Sequence, residues 1–211
     1  MDAARLDPRF CDVIGLDRRG ADGLRLEDEA SIASAARRLE AGGRPVRLFL
    51  NAAGILHEAG LGPERAWEQI DAAAMMRVLA VNTVGPALLV KYFAPLLPRS
   101  GPSALIHLSA RVGSIGDNRL GGWYSYRASK AALNQIVRTT AVELRRRRPE
   151  AVCACVHPGT VESKLSAPFQ RKGLDVTSPA DAAARILGLS LQLRPDQSGG
   201  FFDRDGAAIP W

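Results

Sequence analysis

The chain has 211 residues, 46% of them hydrophobic and 24% charged, a length and balance that predict one globular domain able to bury a substantial core. No run of about 18 uncharged apolar residues occurs, which argues against a membrane span. Residues 1–10 carry Asp2, Arg5, Asp7 and Arg9 where a secretory signal needs an apolar core. The net charge of +6 concentrates in residues 145–148 (RRRR), at the end of a predicted helix where cations meet the negative pole. No aromatic interleaving accompanies it, so nucleic acid is not an expected partner.

Residues 1–10 read as the tail of a helix. Residues 11–16 (CDVIGL) read as a strand, and 24–26 as a second short one. Asp28 or a neighbour caps a helix running to about Leu39, stopped by Gly42 and Gly43. Residues 46–50 (VRLFL) are a buried-type strand ending at Asn51. A long helical region follows over 66–97, with an interruption expected near Gly85 and Pro86. Residues 104–108 (ALIHL) form the next strand. A glycine-rich loop leads into a helix over 124–147, ended by Pro149. Residues 151–156 (AVCACV) are another strand. Ser178, Pro179 and Asp181 start a further helix as cap, first-turn proline and first-turn acid. A last strand closes at 200–203. The cysteines, Cys11, Cys153 and Cys155, lack metal-ligand spacing and read as buried thiols of a cytoplasmic protein.

Strands alternating with helices predict a doubly wound, Rossmann-like α/β fold with a parallel sheet. Ligands of such sheets bind beyond the carboxyl ends of the strands. Three strand ends carry polar or glycine-rich text, at 51–54 (NAAG), 109–116 and 158–163, and are expected to line one crevice. Tyr126 and Lys130 lie four apart, so a helix projects both from one face. A lysine ammonium beside a phenol favours the phenolate, making a proton donor and acceptor suited to a carbonyl or alcohol oxygen. His57, His107 and His157 have no acid or nucleophile at a spacing that implies a triad or a metal site.

Asn51 to Gly54, then Asn82 in VNTVGP, then Tyr126 and Lys130 in YSYRASK, then Pro158 to Val161 in PGTV stand in an order and spacing that resembles the short-chain dehydrogenase/reductase family. The stretch 111–134 and the ending GGFFDRDGAAIPW are similar to its C-factor-like branch. The resemblance covers about 11–211. It implies hydride transfer between a nicotinamide dinucleotide and a carbonyl or secondary alcohol, with Tyr126 as general acid/base. Lys130 would lower the tyrosine pKa and bond the nicotinamide ribose, and the backbone of Asn82 would hold a water in a proton relay. Asn51, Ala52, Ala53 and Gly54 would approach the adenosine ribose, and Pro158, Gly159 and Val161 the nicotinamide. Homodimers or homotetramers packed through the helices over 66–97 and 124–147 are also implied.

The chain departs from the family pattern in two places. Counting thirteen residues back from the tyrosine to the usual serine gives Gly113, whereas fitting the strand end puts Ala110 there. Ser114 is then favoured over Ser109 as the replacement hydroxyl, because neighbouring strand residues face opposite ways. The family's opening strand and its Thr-Gly-x-x-x-Gly-x-Gly loop do not occur in these residues, so the fold is expected to be N-terminally truncated. Asp17, closing the second strand, would accept bonds from ribose hydroxyls and favour NAD, while Arg18 and Arg19 would suit the 2′-phosphate of NADP; the balance leans to NAD. Arg25 stands where the family often has an aspartate near the adenine. The alternative to an oxidoreductase is a catalytically impaired relative that acts by binding or signalling.

Overall fold

The computed structural model describes residues 2–19, 23–169 and 175–211. Four parallel strands form the main sheet in the order β1–β2–β3–β6: β1 Leu48–Asn51, β2 Ser103–Leu108, β3 Ala151–His157 and β6 Phe201–Asp203. Parallel neighbours need long crossovers, which helices supply. Two helices, α3 (Ala72–Leu79) and α4 (Gly85–Phe93), join β1 to β2. The helix α5 (Tyr124–Arg147) joins β2 to β3, and α6 (Pro179–Gln192) lies between β3 and β6. A two-residue parallel ribbon, β4 Thr160–Val161 with β5 Val176–Thr177, sits after β3. Helix α1 (Asp2–Arg5) lies near α6, and α2 (Glu29–Ala41) packs on α4.

Both faces of β2 and β3 are covered, which explains their near-continuous apolar text. Leu105, Cys153 and Cys155 meet Leu133, Val137 and Ala141 of α5 on one face. On the other, Ala104, Ile106, Val152, Ala154 and Val156 meet Ile186 of α6. The doubly wound α/β class expected from the alternation is the architecture observed. The expected caps of α2 and α6 also form: Asp28 accepts from Ala30 and Ser31 N–H, and Ser178 from Asp181 N–H.

Residues 11–16 and 24–26 are not strands, contrary to expectation. The first run has no strand beside it in the described sheet, and it lines a cavity along β1 with Ile14 58% exposed. Its β-branched text marks fitness for a pleated, half-buried surface, not pairing in itself. The second run is absorbed by the entry to α2: Arg25 N–H donates to Ser31 Oγ, and Asp28 N–H to the Arg25 carbonyl. Cys11 is exposed, so only Cys153 and Cys155 are the buried thiols expected. The four-residue α1 is the described helix within 1–10.

The interruption expected at Gly85 and Pro86 takes a different form. Residues 72–96 stay helical, and the turn Ala80–Val84 widens to a π-helix in which Gly85 N–H reaches back to the Ala80 carbonyl. Proline in a helix lacks a donor and crowds the carbonyl four residues earlier; the wider turn accommodates it. Among the described residues, Ala72–Leu96 is long and apolar enough to cross a membrane by length and composition alone. Here Val78, Val81, Leu89 and Phe93 are buried in the core. Its cations are ion-paired, Arg77 with Glu27 and Glu58 and Lys91 with Glu29. The basic end of α5 does structural work, as Arg148 donates to the carbonyls of Leu97 and Pro95.

Candidate active site

The three loops expected to converge do so. The carboxyl ends of β1, β2 and β3 open onto one cavity of about 1820 Å³, lined among others by residues 51–54, 108–112 and 157–161. Asp17, Tyr126 and Lys130 also line it; Arg18, Asn82 and Ser114 do not.

Tyr126 and Lys130 lie in the first two turns of α5 and are both buried, Lys130 at 4% exposure. Lys130 Nζ donates to the Leu108 carbonyl at 3.0 Å and stands 5.7 Å from the centroid of the Tyr126 ring. The expected lowering of the tyrosine pKa is not what this geometry produces. Burial disfavours the phenolate and pushes Tyr126 up to about 12. Burial likewise disfavours the ammonium and brings Lys130 down to about 8. The pair is thus a neutral phenol beside an amine that titrates close to neutrality. His107, below them in β2, is held neutral by burial and by Lys130, at about 3.

Asn82 is wholly buried and acts through its side chain. Its Oδ1 accepts from Ile55 N–H at 2.8 Å, and its Nδ2 donates to the Ile55 carbonyl at 2.8 Å and to Ser129 Oγ at 3.1 Å. It thereby ties the 51–54 loop to α5. Asn51 Oδ1 accepts from Ala53 N–H, and its Nδ2 lies 3.3 Å from His107 Nδ1. Gly54 lies in the angle between the two: a Cβ there would come within 3.1 Å of Asn82 Oδ1 and 3.5 Å of Lys130 Nζ. The bare α-carbon keeps the space beside the amine open.

Ser114 is not brought to the cavity. It is buried with Oγ accepting from Asp117 N–H, which closes the turn after β2. Ser109 Oγ donates to Asn134 Oδ1 at 2.7 Å, and Ala110 faces the cavity without a hydroxyl. Gly113 has a packing role, because a Cβ there would lie 2.7 Å from Lys130 Cβ and 2.9 Å from the Lys130 carbonyl carbon. Gly113→Ala is expected to destabilise the fold by about 1–3 kcal/mol, as overpacking against backbone does, and a urea midpoint indistinguishable from wild type would contradict it.

Asp17 Oδ1 accepts from Arg19 N–H at 2.7 Å. Arg18 lies close enough to Glu27 and Glu58 to help hold both carboxylates below their usual range, after the larger effect of their bonds from Arg77. Gly159 takes φ +77°, and the Arg204 guanidinium packs beneath it while bonding Thr177 and Asp175. Arg204, absent from the sequence reading, therefore fastens Pro158–Val161 and its ribbon to the end of β6.

Sequence reasoning also missed how the entrance to α5 is built. Gly121, Gly122 and Trp123 are all left-handed, at φ 65°, 63° and 56°. For Trp123 that conformation costs about 1–2 kcal/mol. Glu64, 5% exposed, answers it: its backbone carbonyl accepts from Trp123 N–H at 2.5 Å, and its carboxylate accepts from Ser125 N–H at 3.2 Å and from Ser125 Oγ. Arg127 donates to the carbonyls of Val112, Gly121 and Gly122. The paired glycines were the signal available in the sequence; the partners are remote in it.

Residues 23–173 match the family model described as short chain dehydrogenase. The chain is 36% identical over 169 residues to C-signal of Myxococcus xanthus, an alignment covering 79% of this chain and 93% of that protein. It is 30% identical over 189 residues to the 1-hydroxy-2-glutathionyl-2-methyl-3-butene dehydrogenase of a Rhodococcus strain, covering 90% of this chain and 79% of that one. Among solved structures, the NADPH-bound carbonyl reductase from chicken fatty liver superposes with a TM-score of 0.78 at 29% identity, over 90% of this chain and 72% of that one. The carbonyl reductase Sniffer of D. melanogaster gives 0.78 at 26% identity, over 90% and 77%.

The topology and these comparisons together place the chain among nicotinamide-linked oxidoreductases. The chain belongs to the short chain dehydrogenase family, and its class of activity is NAD(P)-dependent oxidoreduction. Lys130, Gly54 and Gly159 line one cavity and are the residues that would hold such a cofactor. The glycine cradle at Gly54 lies open beside Lys130, and Gly159 brings backbone to the same cavity.

Proposed function

We propose that this chain reduces a ketone or aldehyde, with Tyr126 as proton donor and Lys130 as the group that replenishes it. The observation that carries this reading is the neutral, buried phenol of Tyr126 beside Lys130 in a cavity whose floor is left open at Gly54. A bound reduced dinucleotide would supply the hydride for the carbonyl carbon, being oxidised in exchange. Tyr126 Oη gives its proton to the carbonyl oxygen as charge develops there, so an alcohol forms. A phenol held near 12 is a poor base but a sound donor to an alkoxide-like oxygen. Lys130, titrating near 8, then returns a proton to Tyr126. The Asn82 side chain keeps the loop and the helix in register for this transfer, and its backbone is proposed to hold a relay water between Lys130 and solvent.

Asp17, which lines the cavity where Arg18 does not, supports NADH over NADPH, because a carboxylate accepts from ribose hydroxyls and repels a 2′-phosphate. The helices α3, α4 and α5 are the faces through which the same reading pairs subunits. Titrating the folded chain with NADH and NADPH by calorimetry is expected to give saturable binding, tighter for NADH. Tighter NADPH binding would transfer the role from Asp17 to Arg18. Absence of binding to either would favour a second reading, a binding or signalling role, for which the likeness to C-signal is the observation.

A further inference from the structure

We propose that the substrate of this site is a carbonyl compound with a flat aromatic body, and that Trp123 sets that preference by forming, with Phe169, an aromatic wall against which the body packs. This inference rests on the reduction proposed above and names its substrate class. The helix start that Trp123 occupies ordinarily takes Ser, Thr, Asp or Asn, and Trp123 makes no side-chain cap there. Its left-handed backbone strains any residue with a Cβ. Glycine would relieve that strain, as it does at the two positions before. Strain maintained by a dedicated set of bonds, here from Glu64 and Arg127, points to a side chain whose direction matters.

Trp123 lines the cavity. It meets Phe169 edge-on with centroids 5.1 Å apart and Tyr126 with centroids 6.2 Å apart, so the wall begins one ring away from the reacting hydroxyl. His57, which does not line the cavity, meets Phe169 edge-on at 5.6 Å and lies within hydrogen-bond distance of the Lys164 carbonyl. Leu120, almost fully exposed, adds an apolar rim on the same cavity. Edge-to-face and offset contacts with such rings favour a planar aromatic partner over a flexible chain of equal apolar area, because the chain must also give up rotamer freedom on binding.

The test compares methyl naphthyl ketone with methyl decyl ketone, two ketones of equal carbon count. Wild type is expected to prefer the naphthyl ketone by tenfold or more in kcat/KM, on the scale of about 10–200-fold that apolar pocket contacts give. Trp123→Gly, which removes the ring and the strain together, is expected to erase that preference while leaving the thermal midpoint equal or higher. Trp123→Phe is expected to keep most of it. Equal loss for both ketones, or a preference unchanged in Trp123→Gly, would overturn the proposal. Binding of the naphthyl ketone by calorimetry, with and without saturating nucleotide, is read in Tyr126→Phe as well. It is expected to persist in that variant and to vanish in Trp123→Gly. Should wild type turn over neither ketone, the reduction fails, whereas naphthyl ketone binding that is independent of Trp123, or absent from wild type, defeats this inference alone.

Discussion

Tyr126→Phe is expected to lower kcat for carbonyl reduction by about 10²–10⁴-fold, the range a positioned general acid supplies, with nucleotide affinity little changed. The substitution is conservative in every other respect. The Tyr126 ring packs against Trp123 and beside Lys130, and phenylalanine keeps both contacts. What is lost is the hydroxyl, which stands in a setting that keeps it protonated. Rates at matched nucleotide saturation decide the matter: full activity in the variant removes Tyr126 from the chemistry, and loss of nucleotide binding in a folded variant assigns it to the cofactor instead.

Lys130→Met is expected to abolish turnover and also to change how stability depends on pH. The Lys130 amine falls from 10.5 to about 8 on folding because burial penalises its charge. Between those values the unfolded chain binds a proton that the folded one does not, so wild-type stability rises with pH across that window and is lost as pH falls through it. Over the whole window the difference between wild type and variant should change by about 3 kcal/mol, a pKa unit being about 1.4 kcal/mol. Tyr126 acts in the opposite sense above pH 10, where the unfolded phenol ionises first and wild-type stability declines again. Denaturant unfolding of both proteins from pH 7 to 10 measures this. Parallel curves would mean that Lys130 is not desolvated in the folded state.

Most of the architecture was legible because it rests on local signals. The Asp28 and Ser178 caps, the helix over 124–147 and the apolar runs of β2 and β3 state their geometry in a few adjacent residues. Residues 11–16 misled because a parallel strand is defined by its neighbour, which a run of β-branched residues does not encode. Within the site, the Tyr126–Lys130 spacing and the three loops could be read directly. The missing hydroxyl could not, because Ser109 and Ser114 are engaged by Asn134 and Asp117 in three dimensions. The direction of the Tyr126 shift was misjudged for a related reason. Proximity of charge follows from spacing on a helix, but desolvation depends on everything packed around the pair. Glu64 lies sixty-one positions before Ser125, so no local pattern announces their bond.

The three bonds of Asn82 make the 51–55 segment and the second turn of α5 one mechanical body. Ser129, in turn, donates its hydroxyl to the Tyr126 carbonyl. A continuous run of bonds through Ile55, Asn82 and Ser129 thus links the segment beside Gly54 to the backbone of Tyr126.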